Sequence, residues 1–119
     1  MMFQKILEKK TAQIISDVTK ETRLPKIQQE RNYLKQLSDS SWQSKVVKLA
    51  DILANISDLK NSGFTKKEKI DHVKQKRKYL NAIRSGIILN KSKTPNLIQT
   101  VNMLNSVLES YGQREIKMI

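Results

Sequence analysis

The chain has 119 residues and a formal net charge of +12, from 23 basic against 11 acidic side chains. That length makes one domain at most, with a modest core, and the absence of cysteine excludes disulfides and thiolate metal sites. No run approaches the roughly 18 apolar residues of a membrane span, and Met1 to Lys10 is mixed rather than an apolar block behind a basic start. No membrane segment or secretion signal is therefore expected, and the cytoplasm is the default location.

Glycine numbers 3 and proline 2, too few turn formers for a sheet-rich domain with many reversals, so an all-α fold is expected. The apolar share of 38% is below the usual value of about 45–50%. The core is thin, or part of it belongs to something else. The positive surface attracts anions, whether nucleotides, nucleic acid or anionic lipid; it equally describes a solvated surface rich in lysine.

In chain order, residues 4–19 read as a helix with a partial apolar stripe of Ile6, Leu7, Ile14, Ile15 and Val18. Leu24-Pro25 breaks it, because the residue before proline is steered away from the α region. Pro25 can open a second helix, where its missing N–H is harmless. That helix carries Ile27, Arg31, Leu34 and Leu37 and ends in Ser38-Asp39-Ser40-Ser41. Ser40 or Ser41 offers an N-cap for a third helix, in which Trp42, Val46, Leu49, Leu53 and Ile56 recur at steps of three and four. It stops at Asn61-Ser62-Gly63. Thr65 with Glu68 three residues on forms a capping box, opening a fourth helix from about Lys66 to Leu89. Thr94-Pro95 opens the fifth, with Leu97, Val101, Leu104 and Leu108 as its stripe and Gly112 as its stop.

At about 100° per residue, the third helix sets Lys48, Asp51, Asn55 and Asp58 opposite that apolar stripe. Taken alone this is an ordinary amphipathic helix. Val47 beside Asp51, and Ile52 and Leu59 beside Asn55, nevertheless give the polar stripe apolar shoulders. A carboxylate so flanked suits a metal, since exclusion of water strengthens the ion's field.

The run Val47-Lys48-Leu49-Ala50-Asp51, then Asn55, then Asp58-Leu59, resembles the V-K-L-A-D-x-x-x-N-x-x-D-L signature of the HD-type hydrolase domain of the SpoT/RelA family. Those enzymes remove the 3′-pyrophosphate from ppGpp. Ala12 to Thr19 looks like the family's V-A-x-L-V-x-x-V-T, and Leu24-Pro25-Lys26 with Arg31 looks like its L-P-K and basic helix. Arg77-Lys78-Tyr79-Leu80 resembles its R-x-x-Y helix, and Asn96-Leu97 to Leu108 the closing helix of small stand-alone SpoT homologues. The likeness spans residues 12–110.

The resemblance implies that Asp51 completes a divalent-metal shell, usually Mn²⁺. It implies that Asn55 lines the nucleotide pocket, that Lys26 meets a pyrophosphate, and that Tyr79 lies near the nucleotide. Gln29 and Glu30-Arg31 depart from the family's basic residue and Lys-Arg pair, which puts the phosphate contacts of that helix in doubt. The family's early His, its His-Asp pair and its adjacent Glu-Asp pair have no counterpart. The sole histidine, His72, follows the signature helix and is expected on an exposed face rather than as a ligand.

The expectation is a single domain over 1–119, the C-terminal half of an HD-type helical bundle. It would be a truncated or split phosphohydrolase, inactive alone because its Mn²⁺ site is incomplete. Its uncovered apolar faces would drive self-association or pairing with a complementary N-terminal HD fragment. Two other readings stay open. One is a basic helical module binding nucleic acid through Lys66-Lys67-Glu68-Lys69 to Lys74-Gln75-Lys76-Arg77-Lys78; the other is a regulatory partner of a full-length relative.

Overall fold

The computed structural model describes the backbone of residues 2–118 and the side chains of residues 8–118. Among these residues it holds five α-helices and no strand: α1 Met2–Val18, α2 Lys26–Asp39, α3 Trp42–Asp58, α4 Lys66–Leu89 and α5 Leu97–Ser110. Short 3-10 turns, Leu59–Asn61 and Lys91–Lys93, follow α3 and α4. The chain is all-α. No described helix is long and apolar enough to cross a membrane.

The helix boundaries follow local chemistry. The Ser41 hydroxyl caps α3 by accepting from the Ser44 backbone N–H at 3.2 Å. Thr65 and Glu68 close both halves of the capping box on α4, at 3.2 and 3.1 Å. Proline cannot donate, and α2 starts directly after Pro25. The fifth helix starts later than Thr94-Pro95, at Leu97. Asn96 turns the chain through a left-handed conformation (φ 56°), which a short polar side chain tolerates. Gly112, at φ 73°, ends α5 as expected.

Helix α3 is the centre of the bundle and packs on α1, α4 and α5, while α2 lies on α4 and α1. The core runs through Leu37, Ile52, Ile56, Val73, Leu80, Ile83, Ile87, Leu104 and Leu108, each at 0–1% exposure. Each such side chain contributes on the order of 1.5–3 kcal/mol of burial, as an upper estimate. The four predicted stripe residues of α5 are all buried. Residues 8–13 of α1 are exposed, which fits a radius of gyration of 15.2 Å against about 13.5 Å for a fully compact chain of this length.

Three predicted faces differ in the structure: those of α1 and α2 are rotated, and that of α3 is wider. On α2, Ile27 is 76% exposed and Arg31 exposed, whereas Tyr33 and Leu37 are buried. Two stripes were available, and the tyrosine's contact with α4 selected the second. On α1, Ile15 is exposed and Ile14 and Val18 are half-buried; Ile6 and Leu7 lie outside the described side chains. On α3 the buried arc includes Ser44, Lys45, Lys48 and Ile52 as well as Leu49 and Ile56, while Trp42, Val46 and Leu53 are only partly covered. Lys48, expected to face outward, is buried. A helix with neighbours on three sides needs a wider covered arc than one stripe, and long lysine stems can line it while the ammonium finds a polar exit.

Lys45 makes such an exit. Its stem crosses Gly86 of α4 and its ammonium donates to the Ser40 carbonyl. A Cβ on residue 86 would lie 2.4 Å from Lys45 Cδ and 2.6 Å from Cε, so glycine here is a matter of space. Gly86→Ala should therefore destabilise the protein or leave it unchanged, despite the gain in helix propensity. In a Lys45→Ala background the same change should stabilise by about 1 kcal/mol. Chemical denaturation of the four proteins of this cycle reads the coupling; equal effects in both backgrounds would show that Lys45 does not occupy that space.

Candidate functional site

The Lys-Glu-Thr-Arg-Leu-Pro segment between α1 and α2 brings Lys20 over the α2–α4 seam, where two buried tyrosines meet. Tyr33 and Tyr79 stand edge-to-face, ring centres 5.0 Å apart at 87°. Lys20 lies 5.4 and 5.2 Å from the two ring centres, and Lys48 lies 5.0 and 5.1 Å. Lys76 adds a third ammonium 5.2 Å from the Tyr79 ring. Such contacts are worth about 0.5–1 kcal/mol when exposed and about 2 or more when desolvated.

Two carboxylates answer these three cations. Glu30 pairs with Lys20 and accepts from the Tyr79 hydroxyl at 2.9 Å and from Gln75 at 2.9 Å. Lys20 also donates to the Tyr79 oxygen at 2.6 Å. Asp51 pairs with Lys48 at 3.1 Å. Burial alone would raise the Glu30 carboxyl, but the hydrogen bonds from Lys20 and Tyr79 outweigh it and hold it below the usual carboxylate range. Burial, then the hydrogen bond to Glu30, push the Tyr79 phenol up, so it works as a neutral donor. Lys76 forms no ion pair or hydrogen bond among the described residues. Burial pushes its ammonium down, and Lys48 and Lys20 push the same way against the pull of Asp51 and Glu30. Of the three ammonium groups in this cluster, Lys76 is the one that closes no ion pair among the described residues.

Lys76 opens onto a hollow of about 330 Å³ shared with Asn55, Asp58, Phe64 and His72. His72 also lines a neighbouring hollow of about 300 Å³ with Lys26, Glu68, Asp71 and Gln75. Phe64 and His72 stack at 4.6 Å and 22°, an apolar plate between the two. His72, expected on an exposed face, is half-buried under this ring.

The sequence-derived candidates are thus gathered on one region but not in one pocket. Asn55 and Lys26 line the two adjoining hollows. Asp51, 49% exposed at its side chain, stands one turn before Asn55 and close enough to Lys76 to act on its charge. Tyr79, 1% exposed, lies beneath the surface and lines neither hollow. The sequence reading missed Lys20, Tyr33 and Phe64, and named Glu30 only as a departure from the family pattern and Lys76 only within the basic run of α4. Lys20 and Glu30 meet across a turn, and Lys20 and Tyr79 are 59 residues apart, so no periodicity links them.

Among the described residues no group of three or more His, Asp or Glu side chains is placed to hold a metal ion. Asp51 is the one carboxylate offered for it, and its nearest partner is the Lys48 ammonium, with Lys76 beyond. Two cations beside a single carboxylate do not fit an Mn²⁺ shell made by these residues alone. Compared with protein-family models, curated proteins and solved structures, the chain matches none.

Because the folded state lowers the Glu30 pKa, its stabilising contribution is complete above the ordinary carboxylate range and is lost as pH falls through the lowered folded value. Glu30→Gln should lower the melting temperature near neutral pH and cost much less at about pH 3. Thermal melts across that range check this, and a pH-independent difference would show that charge on Glu30 is not what the cluster uses.

Proposed function

We propose that this chain is the nucleotide-holding part of an HD-type phosphohydrolase site related to the ppGpp 3′-pyrophosphohydrolases of the SpoT/RelA kind, and that it does not hydrolyse ppGpp alone. One observation carries the reading. Asp51 and Asn55, one turn apart in the signature helix, stand beside a hollow lined by Lys76 and Asp58, and among the described residues Lys76 closes no ion pair there. A phosphoryl group is a fitting counter-ion, since charge-assisted bonds from ammonium to phosphate are among the strong ones.

In this reading Lys26 and Lys76 hold phosphate oxygens at the two ends, and the Asn55 amide fixes orientation. Phe64 and His72 provide the flat surface between them. Tyr79 supports the site from beneath by fixing Glu30 and Lys20, rather than touching nucleotide. Asp51 contributes one carboxylate to a metal shell whose other ligands, the His and His-Asp groups, come from a complementary HD segment. Val47 supports that division: it lies one turn before Asp51 on the same face and is 43% exposed although its helix is central. A segment delivering ligands to Asp51 would cover it.

Purified chain should bind ppGpp by isothermal titration without Mn²⁺ and release no pyrophosphate when Mn²⁺ is added. Lys26→Ala, Asn55→Ala and Lys76→Met should each weaken binding by about tenfold, the size of one hydrogen bond to a charged group. Turnover by the chain alone, or binding indifferent to all three changes, would sink the reading.

Removing the uncompensated cation should also help the unliganded fold. Lys76→Met is expected to raise the melting temperature by about 3 °C, on the order of 0.5–1 kcal/mol. A lower melting temperature would mean that the ammonium is already compensated.

A further inference from the structure

On another part of α4, three polar side chains at one-turn and two-turn spacing, Arg77, Asn81 and Arg84, face the chain's C-terminal segment. Together with α5 and that segment they line an open hollow of about 800 Å³. The described segment after Gly112 has no regular secondary structure, and its backbone is held by side chains. Arg77 donates to the Arg114 carbonyl and Arg84 to the Lys117 carbonyl. Asn105 of α5 donates to the Ile116 carbonyl at 3.1 Å and accepts its N–H at 2.7 Å. Ile116 and Met118 are buried at 4% and 0%, with Lys117 exposed between them. Arg114 and Lys117 are exposed there.

Each α4 guanidinium thus spends one recorded N–H on a carbonyl and keeps the rest of its fork for another acceptor. Glu109 and Glu115 also border the hollow. Among the described residues neither closes an ion pair with these cations. Four cations and two carboxylates therefore line one open surface, a net excess of two positive charges.

We propose that this hollow binds the phosphodiester backbone of a nucleic acid strand. Arg77 and Arg84 are two helical turns apart, about 10 Å along the axis, a spacing suited to separate phosphates along a strand rather than to one small anion. Planar guanidinium forks match phosphate oxygens bidentately, and the Asn81 and Gln113 amides add neutral hydrogen-bonding groups. Among the described residues no aromatic side chain lines the hollow, and the one apolar lining residue, Ile116, is already buried. Without an aromatic platform for the bases, the contacts are to the backbone and independent of sequence. An acidic protein partner would meet none of the apolar anchors that form the centre of such interfaces.

Arg114 and Lys117 allow a clean test, because the clamp uses their backbone carbonyls and leaves their side chains free. Fluorescence anisotropy with a labelled oligothymidylate of about 20 nucleotides, between about 50 and 200 mM salt, reads affinity and its salt slope. Arg114→Gln with Lys117→Gln should weaken binding by about tenfold at low salt and reduce the slope by about 1.4, from about 0.7 per phosphate contact on a single strand. The thermal melt should be unchanged. Lys66→Gln with Lys67→Gln removes the same charge at the start of α4 and should retain most of the binding. Lys76→Met should also leave it intact, which separates this site from the nucleotide hollow. Equal losses in the two double variants would reduce the effect to net charge and overturn the proposal. So would no binding at the lowest salt, or a loss confined to phosphatidylserine vesicles while strand binding is unchanged.

Discussion

The bundle depends on one buried contact, the edge-to-face pair of Tyr33 and Tyr79. It joins α2 to α4, and its rings form the surface on which ammonium groups from the α1–α2 segment, α3 and α4 converge. An aromatic pair is worth only about 0.5–1.5 kcal/mol beyond its buried area. Its larger effect is to give charged lysines a reason to approach the interior. Tyr33 also donates to the Val18 carbonyl at the end of α1, and Gln36 reaches the carbonyls of Ser16, Asp17 and Thr19 at 2.8–2.9 Å. The C-terminus of α1 is thereby satisfied by α2. Asp17 in turn accepts from Ser44 at 2.8 Å, tying it to the start of α3.

This arrangement leaves a charge imbalance of definite origin. Lys20 and Lys48 have carboxylate partners and approach both rings, whereas Lys76 closes no ion pair among the described residues and approaches the Tyr79 ring. A fold optimised only for stability would place an apolar residue or a carboxylate at position 76. An unanswered cation beside two hollows and a stacked Phe64–His72 plate is a cost that a bound anion would offset, which is the usual relation between a strained site and its ligand. The tail clamp shows the same economy elsewhere, with arginines that serve structure through one donor and stay available through the others.

The all-α class, the order of the helices and most of their ends were legible because each rests on local chemistry. Ser41 as a cap, the Thr65–Glu68 box, Pro25 before α2 and Gly112 after α5 act within a few residues. The α5 stripe was legible too, since that helix buries a single face. On α2 the apolar residues allowed two registers, and Tyr33 decided between them through a partner that the local pattern does not contain. On α3 the pattern marked one stripe, but a helix covered on three sides also buries Lys45 and Lys48.

The candidate site divides in the same way. The sequence by itself determined that Asp51 and Asn55 share a helical face one turn apart, because helix geometry fixes that spacing, and it determined a strong surplus of positive charge. Only the tertiary structure decided where that charge is answered and where it is not. Lys20 reaches Tyr79 from 59 residues away, Phe64 meets His72 across a helix start, and the tail lies along Arg77 and Arg84. Those contacts depend on how helices lie against one another, and no periodicity within a single helix encodes them.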